Sequence, residues 1–260
     1  MSSLKIIVLW FPRERIALIN GYMIMLGSLG AVTATTPAGM PLDKMGWRGL
    51  FETLAVASAA MAILSYLAVP ERKTEPQGRT NAATLKRIYS DPRFWRIAPL
   101  AAICIGSAWA LQSLWAAPWL CDVERLDRAS LVSELFAMAV ALSLGALALG
   151  ILGNWLRSRS KRTETLFAIV AATLVVAELA LILHPPWSSL LSWCTVAMAG
   201  SATALTYAMI ADYFRTGLVA RVNSGLSVLQ FGSAFIVQYA TGVILEQWAV
   251  EAGHYPAMAY

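Results

Sequence analysis

The residues of this chain that could do chemistry are few and scattered through apolar sequence. Four carboxylates fall within or at the ends of long apolar runs: Glu52, Glu134, Glu178 and Asp212. An acid held inside a membrane can load and release a proton. None lies at a convincing depth for that role: Glu178 is the deepest of them, and Asp212 sits at a run's end beside Arg215, where an ion pair is expected. Neutral polar groups offer the other chemistry, solute binding. Trp109, Gln112, Trp115 and Trp119 recur at helical spacing. At about 100° per residue they share roughly a third of one helix face. Indoles flanking an amide can stack on a flat solute while the amide hydrogen-bonds to it. Trp119, nearest the run's end, is expected in an aromatic belt at the membrane surface. Thr203, Thr206 and Tyr207 share a second face, with packing an equal expectation for the threonines. Gln230 stands near the middle of the last run, where an amide facing lipid would be costly, so it should face a neighbour helix or a cavity. The candidate solute-binding set is therefore Trp109, Gln112, Trp115, Thr203, Tyr207 and Gln230.

The sets that serve enzymes and metals are missing. His184 and His254 are isolated, and Cys104, Cys121 and Cys194 are scattered without ligand spacing. No paired carboxylates, histidine cluster or Ser–His set lies near any connection. No enzyme activity, metal or cofactor is expected.

The elements that must position these residues are membrane-spanning helices. Uncharged runs cover Ile16–Leu42, Ile97–Cys121, Leu135–Leu156, Pro185–Ala211 and Val222–Leu245, and Gly49–Val69 and Thr165–Leu183 carry one carboxylate each. All seven reach the length, about 20 residues, that crosses the hydrocarbon. Charged residues make up 13% of the chain, about half the share in soluble domains, so an all-α membrane protein is predicted. Alternate connections hold 16 of the 20 lysines and arginines, which places them and the N-terminus in the cytoplasm. The same argument assigns the net charge of +5 to insertion and anionic lipid rather than to nucleic acid.

No signal peptide is visible in the first residues. The apolar stretch Ile6–Phe11 ends in a proline and three charges, like the last turns of a span, and the apolar restart after Gly253 stops at once. Both ends read as cut. The central stretch over 82–97 has Leu85, Ile88 and Tyr89 on one helical face beside Lys86 and Arg87, an interfacial-helix pattern, with Phe94 and Trp95 expected as headgroup anchors.

An internal echo appears at an offset of 203 residues. Phe11, Ala17, Asn20, Leu26, Ala31 and Gly39 meet Phe214, Ala220, Asn223, Leu229, Ala234 and Gly242. The first complete span thus matches the seventh, which makes the repeat six spans long. Same-sense repeats of six spans imply two halves related by an axis along the membrane normal.

With this count the chain resembles the major facilitator superfamily of secondary transporters over essentially its whole length. Gly46-Trp47-Arg48 is similar to the family's Gly-Trp-Arg before its sixth helix. Gly150-Ile-Leu-Gly-Asn-Trp-Leu-Arg-Ser-Arg159 is similar to its loop between spans eight and nine, where Gly150, Leu152 and Arg159 fit but Asn154 replaces an Asp and cannot supply its charge. The resemblance implies a candidate gating loop at Gly150, Asn154, Arg157 and Arg159. It makes the span with Gln112 the seventh, a cavity-lining helix, and the span with Glu178 the peripheral ninth, where that acid is expected to bond a neighbour. It implies residues 1–69 as a remnant of the N-terminal bundle, 70–96 as the central cytoplasmic connection and 97–260 as the C-terminal bundle. The implied partners are the lipid bilayer, a small-molecule solute and, where transport is coupled, an ion such as a proton; the implied place is the cell (inner) membrane. With about spans five to eleven of twelve, the chain is expected not to transport alone; the alternative is an inactive or structural membrane remnant.

Overall fold

In a computed structural model of the chain, residues 11, 15–34, 36–68, 86, 88–159, 161–183, 189–214, 216–249 and 254–256 are described, with the backbone alone at 34, 36–45, 68, 216 and 217. Among them there are no strands, and seven helical segments are long and apolar enough to cross a membrane. The first helix, α1 (Ile16–Ala34), ends earlier than the expected run to Leu42, and helix resumes in α2 (Thr36–Ala68). Gly46 breaks α2 in two with φ 66°, a left-handed value that costs a side chain-bearing residue dearly and glycine little. Trp47 and Arg48, which precede the expected run from Gly49, accordingly begin the membrane-crossing part of α2.

Helix α3 (Pro92–Ala110) starts where its sequence dictates. The Asp91 side chain accepts the Arg93 amide at 2.9 Å, and Pro92 occupies the first turn, where its missing N–H costs nothing. It continues through a π-helical turn at Leu111–Trp115 into α4 (Ala116–Asp122), making one crossing. Helix α5 (Arg128–Ser158) is capped by Asp127, which accepts the Ala129 amide at 3.2 Å. The remaining helices are α6 (Thr163–Leu183), α7 (Ser189–Gly200), α8 (Thr203–Tyr213) and α9 (Thr216–Leu245). Helices α7 and α8 form one crossing interrupted at Ser201 and Ala202.

In the packed structure α1 lies along α5, α9 lies along α3, and α7 is wedged against α5, α6 and α3. The α7–α8 crossing supplies the centre of the core, with Val196, Ala197, Ala202, Ala204 and Leu205 all inaccessible. Trp119 packs edge-on against Trp193 at 5.5 Å and is 6% exposed, so the belt position expected for it is wrong; it is a core residue. The reading of Phe94 as a headgroup anchor also fails, and the expected interfacial face of Ile88 and Tyr89 packs against protein. Ile88 and Phe94 are buried, and the Tyr89 hydroxyl donates to Gly225 O at 3.2 Å, which ties this segment to α9 instead of to headgroups. Trp95 alone stays exposed, its indole N–H donating to Tyr89 O at 2.7 Å. The connection over 69–85, Arg87 and Arg215 lie outside the described residues. The crossing part of α2 contributes no buried residue, whereas the α7–α8 crossing is mostly buried.

Candidate functional site

Small residues set the approach of α1 to α5. Gly21 and Gly150 meet backbone to backbone: a Cβ on Gly21 would fall 2.7 Å from Ala146 O and 2.9 Å from the Gly150 Cα. One turn nearer the start of α1, a Cβ on Gly153 would touch that of Ala17 at 3.4 Å. Farther along, the Ser28 and Ser143 hydroxyls share a 2.7 Å hydrogen bond, both buried. Small side chains let membrane helices come this close. The N-terminal end of α1 is therefore sealed against the C-terminal half of α5.

Toward the other end these helices part around a partly open cavity of about 640 Å³. Ala31 from α1 and Leu135, Met138, Ala139 and Leu142 from α5 form two of its sides. Phe231, Ala234, Phe235 and Gln238 from α9 form another, and Trp109, Gln112, Ser113 and Ala117 close it from the α3–α4 crossing.

Trp109 is fixed by the break between α7 and α8. Its indole N–H donates to Gly200 O at 3.2 Å, a carbonyl that also accepts the Thr203 hydroxyl at 3.2 Å. A Cβ on Gly200 would lie 3.1 Å from the indole, so a larger residue there would crowd the ring. Phe231 covers the other side of Trp109 at 5.2 Å. Across the cavity the Gln238 amide donates to the Ser113 hydroxyl at 3.1 Å.

Of the six residues expected to bind solute, the structure brings Trp109 and Gln112 to the cavity wall. The other four are not part of that wall. The π-helical turn explains Trp115. One extra residue in that turn rotates the rest of the crossing, so Ser113 and Ala117 continue the face of Trp109 and Gln112, while Trp115 packs against Gly242 with its indole nitrogen buried and unpartnered. Thr203 and Thr206 are buried, their hydroxyls donating back to Gly200 O and Thr203 O, and Tyr207 is half-buried. Gln230 is fully buried and neither amide atom has a hydrogen-bond partner, so it does not meet lipid.

The four loop candidates are spread over the sealed end. Gly150 forms the close crossing with Gly21. Asn154 is half-buried, and the Arg159 guanidinium lies 4.6 Å over the Trp155 ring. Arg157 forms an ion pair with Asp212 of α8 and donates to Ala208 O at 3.2 Å. Asp212 pairs with Arg157, and its expected partner Arg215 lies outside the described residues. Glu178 has the neighbour expected for it: its carboxylate is hydrogen-bonded by Ser107 of α3, while its Oε1 is buried with no partner.

The echo at 203 residues has structural counterparts. Asn20 and Asn223 are both buried with an unpartnered Oδ1, and Ala31 and Ala234 both line the cavity. Residues that sequence reasoning missed are Ser113, Met138, Phe231 and Phe235. Phe231 and Phe235 stand one turn apart, a spacing that was visible but equally suits a lipid-facing pair.

No curated protein matches the chain. The family model of the Major Facilitator Superfamily matches residues 1–238. This membrane-spanning, all-helical chain belongs to the Major Facilitator Superfamily.

Proposed function

We propose that the chain serves secondary transport of a small solute by alternating access, and that it alternates by itself, in contrast to the expectation that it would not transport alone, with the cavity between α1, α3–α4, α5 and α9 as the solute site. The observation that carries the reading is that this cavity occupies one half of the helices' depth while α1 and α5 meet backbone to backbone at Gly21 and Gly150 in the other, a contact read as the closed end. The distribution of positive charge supports reading the sealed end as cytoplasmic and the cavity as open to the external side of the cell (inner) membrane. Residues 1–69 are read as part of one moving half and 97–260 as the other, joined through 70–96. The α1–α5 contact then lies between halves, where access must change. Arg157–Asp212 holds the cytoplasmic end of the second half together.

The test uses a cysteine at Ala234 in a chain whose Cys104, Cys121 and Cys194 are replaced by Ala. An impermeant maleimide should label it rapidly in right-side-out vesicles and slowly, but measurably, in inverted ones. No labelling from the cytoplasmic side overturns alternating access in favour of a static membrane remnant. Equally fast labelling from both sides overturns the sealed end.

A further inference from the structure

The chemistry of the cavity wall points to the class of solute, an inference that rests on reading the cavity as the solute site. Among the described residues no ionisable side chain lines it. Its polar groups are the Gln112 amide and the Ser113–Gln238 pair, all neutral. A charge carried into such a space loses its hydration and finds no counter-charge.

The remaining wall favours flat rings. Trp109 has committed its N–H to Gly200 O and so offers only its ring, with Phe231 tilted 41° beside it and Phe235 one turn farther along α9. Aromatic faces and edges attract another aromatic ring beyond simple burial, an advantage that a saturated ring lacks. Gln112 has both a donor and an acceptor and makes no hydrogen bond within the described residues, so it rewards a group that also does both. The volume, about 640 Å³, falls within the roughly 300–1,000 Å³ range of sites for organic ligands.

We propose that the solute is an uncharged, planar aromatic molecule of about two fused rings bearing an amide-like donor–acceptor group. Gln112 is its hydrogen-bonding partner, and Trp109 with Phe231 its stacking surface.

Equilibrium binding of labelled 2-naphthamide to the purified full chain tests this, with 2-naphthoate, 2-naphthylmethylammonium and decahydronaphthalene-2-carboxamide as competitors. Saturable binding is expected, the two charged competitors being about ten-fold weaker or more and the saturated amide about 2- to 13-fold weaker. Gln112→Leu should weaken 2-naphthamide by about 2- to 13-fold, the loss of one hydrogen bond. Trp109→Phe, which keeps a ring but not the indole, should weaken it while leaving its rank above the saturated analogue.

Displacement by either charged analogue as effective as by 2-naphthamide overturns the uncharged class, and equal binding of the saturated amide overturns the aromatic one. Absence of saturable binding to a chain with intact helical circular dichroism overturns both. The transport reading fails separately: 2-naphthamide could bind in the expected order while leaving cytoplasmic labelling of a cysteine at Ala234 undetectable at every concentration.

Discussion

Replacing Gly21 by Ala tests whether α1 and α5 meet backbone to backbone. The added methyl would sit 2.7 Å from Ala146 O and 2.9 Å from the Gly150 Cα, both backbone atoms that cannot turn aside. One helix must move, and overpacking of this kind costs about 1–3 kcal/mol. Against that, Ala gains about 0.5–1 kcal/mol over Gly inside a helix. Gly30 on the same helix supplies the reference, because a Cβ there meets nothing within 4 Å. Gly30→Ala should therefore stabilise by the propensity gain alone. The two variants should differ by about 1–3 kcal/mol, Gly21→Ala being the less stable. Reversible unfolding in mixed detergent–dodecyl sulfate micelles, followed by far-UV circular dichroism, measures this difference. Equal stability of the two variants would refute the close backbone contact, and with it the seal assigned to this end.

Individual contacts carry further consequences. Asp212→Asn should lower stability by up to about 1 kcal/mol, discounted because the Asp212 side chain is 44% exposed; the charge-reversed pair Arg157→Asp with Asp212→Arg should recover part of it in the same unfolding assay. Hydrogen bonds from Ser130 and then the Ala129 amide hold the Asp127 carboxyl below the usual range. A lowered folded-state pKa means its contribution to stability is complete above the unfolded value, about 3.9, and is lost as pH falls through the folded one. Asp127→Ala should therefore flatten acid unfolding only below about pH 4. Cysteines placed at the exposed Lys161 and Ala129 should be labelled from opposite sides of the membrane, and labelling of both from one side would remove the assigned topology.

Most of the fold was legible because bilayer thickness imposes a length on every span and insertion sorts positive charge. Seven spans were readable on those grounds alone. Helix interiors were less so. The π-helical turn at Leu111–Trp115 leaves no mark in composition, yet it moves Trp115 away from the cavity and brings Ser113 and Ala117 to it. Helical periodicity cannot say whether a tryptophan near a span end faces lipid or another helix, and Trp119 was misplaced for that reason. Asp212 was recognised as an ion-pair partner, but its mate came from α5, a contact that depends on how helices distant in sequence pack. Asn20 and Asn223 were found through their echo, and burial of both is the kind of information a repeat carries.

The central claim, that the sealed end opens to expose the same cavity, is most directly tested by locking it. Cysteines at Ala17 and Gly153 place their Cβ atoms about 3.4 Å apart, close to the roughly 3.5–4.5 Å that a disulfide spans, once the Leu205 side chain, 2.8 Å from a Cβ at 153, turns aside. In the Ala234→Cys background, with Cys104, Cys121 and Cys194 replaced by Ala, oxidation of this pair should abolish cytoplasmic labelling of position 234 while external labelling continues. Reduction should restore it. Cytoplasmic labelling that persists at the same rate in the oxidised chain would show that access does not depend on the α1–α5 crossing and would contradict the account.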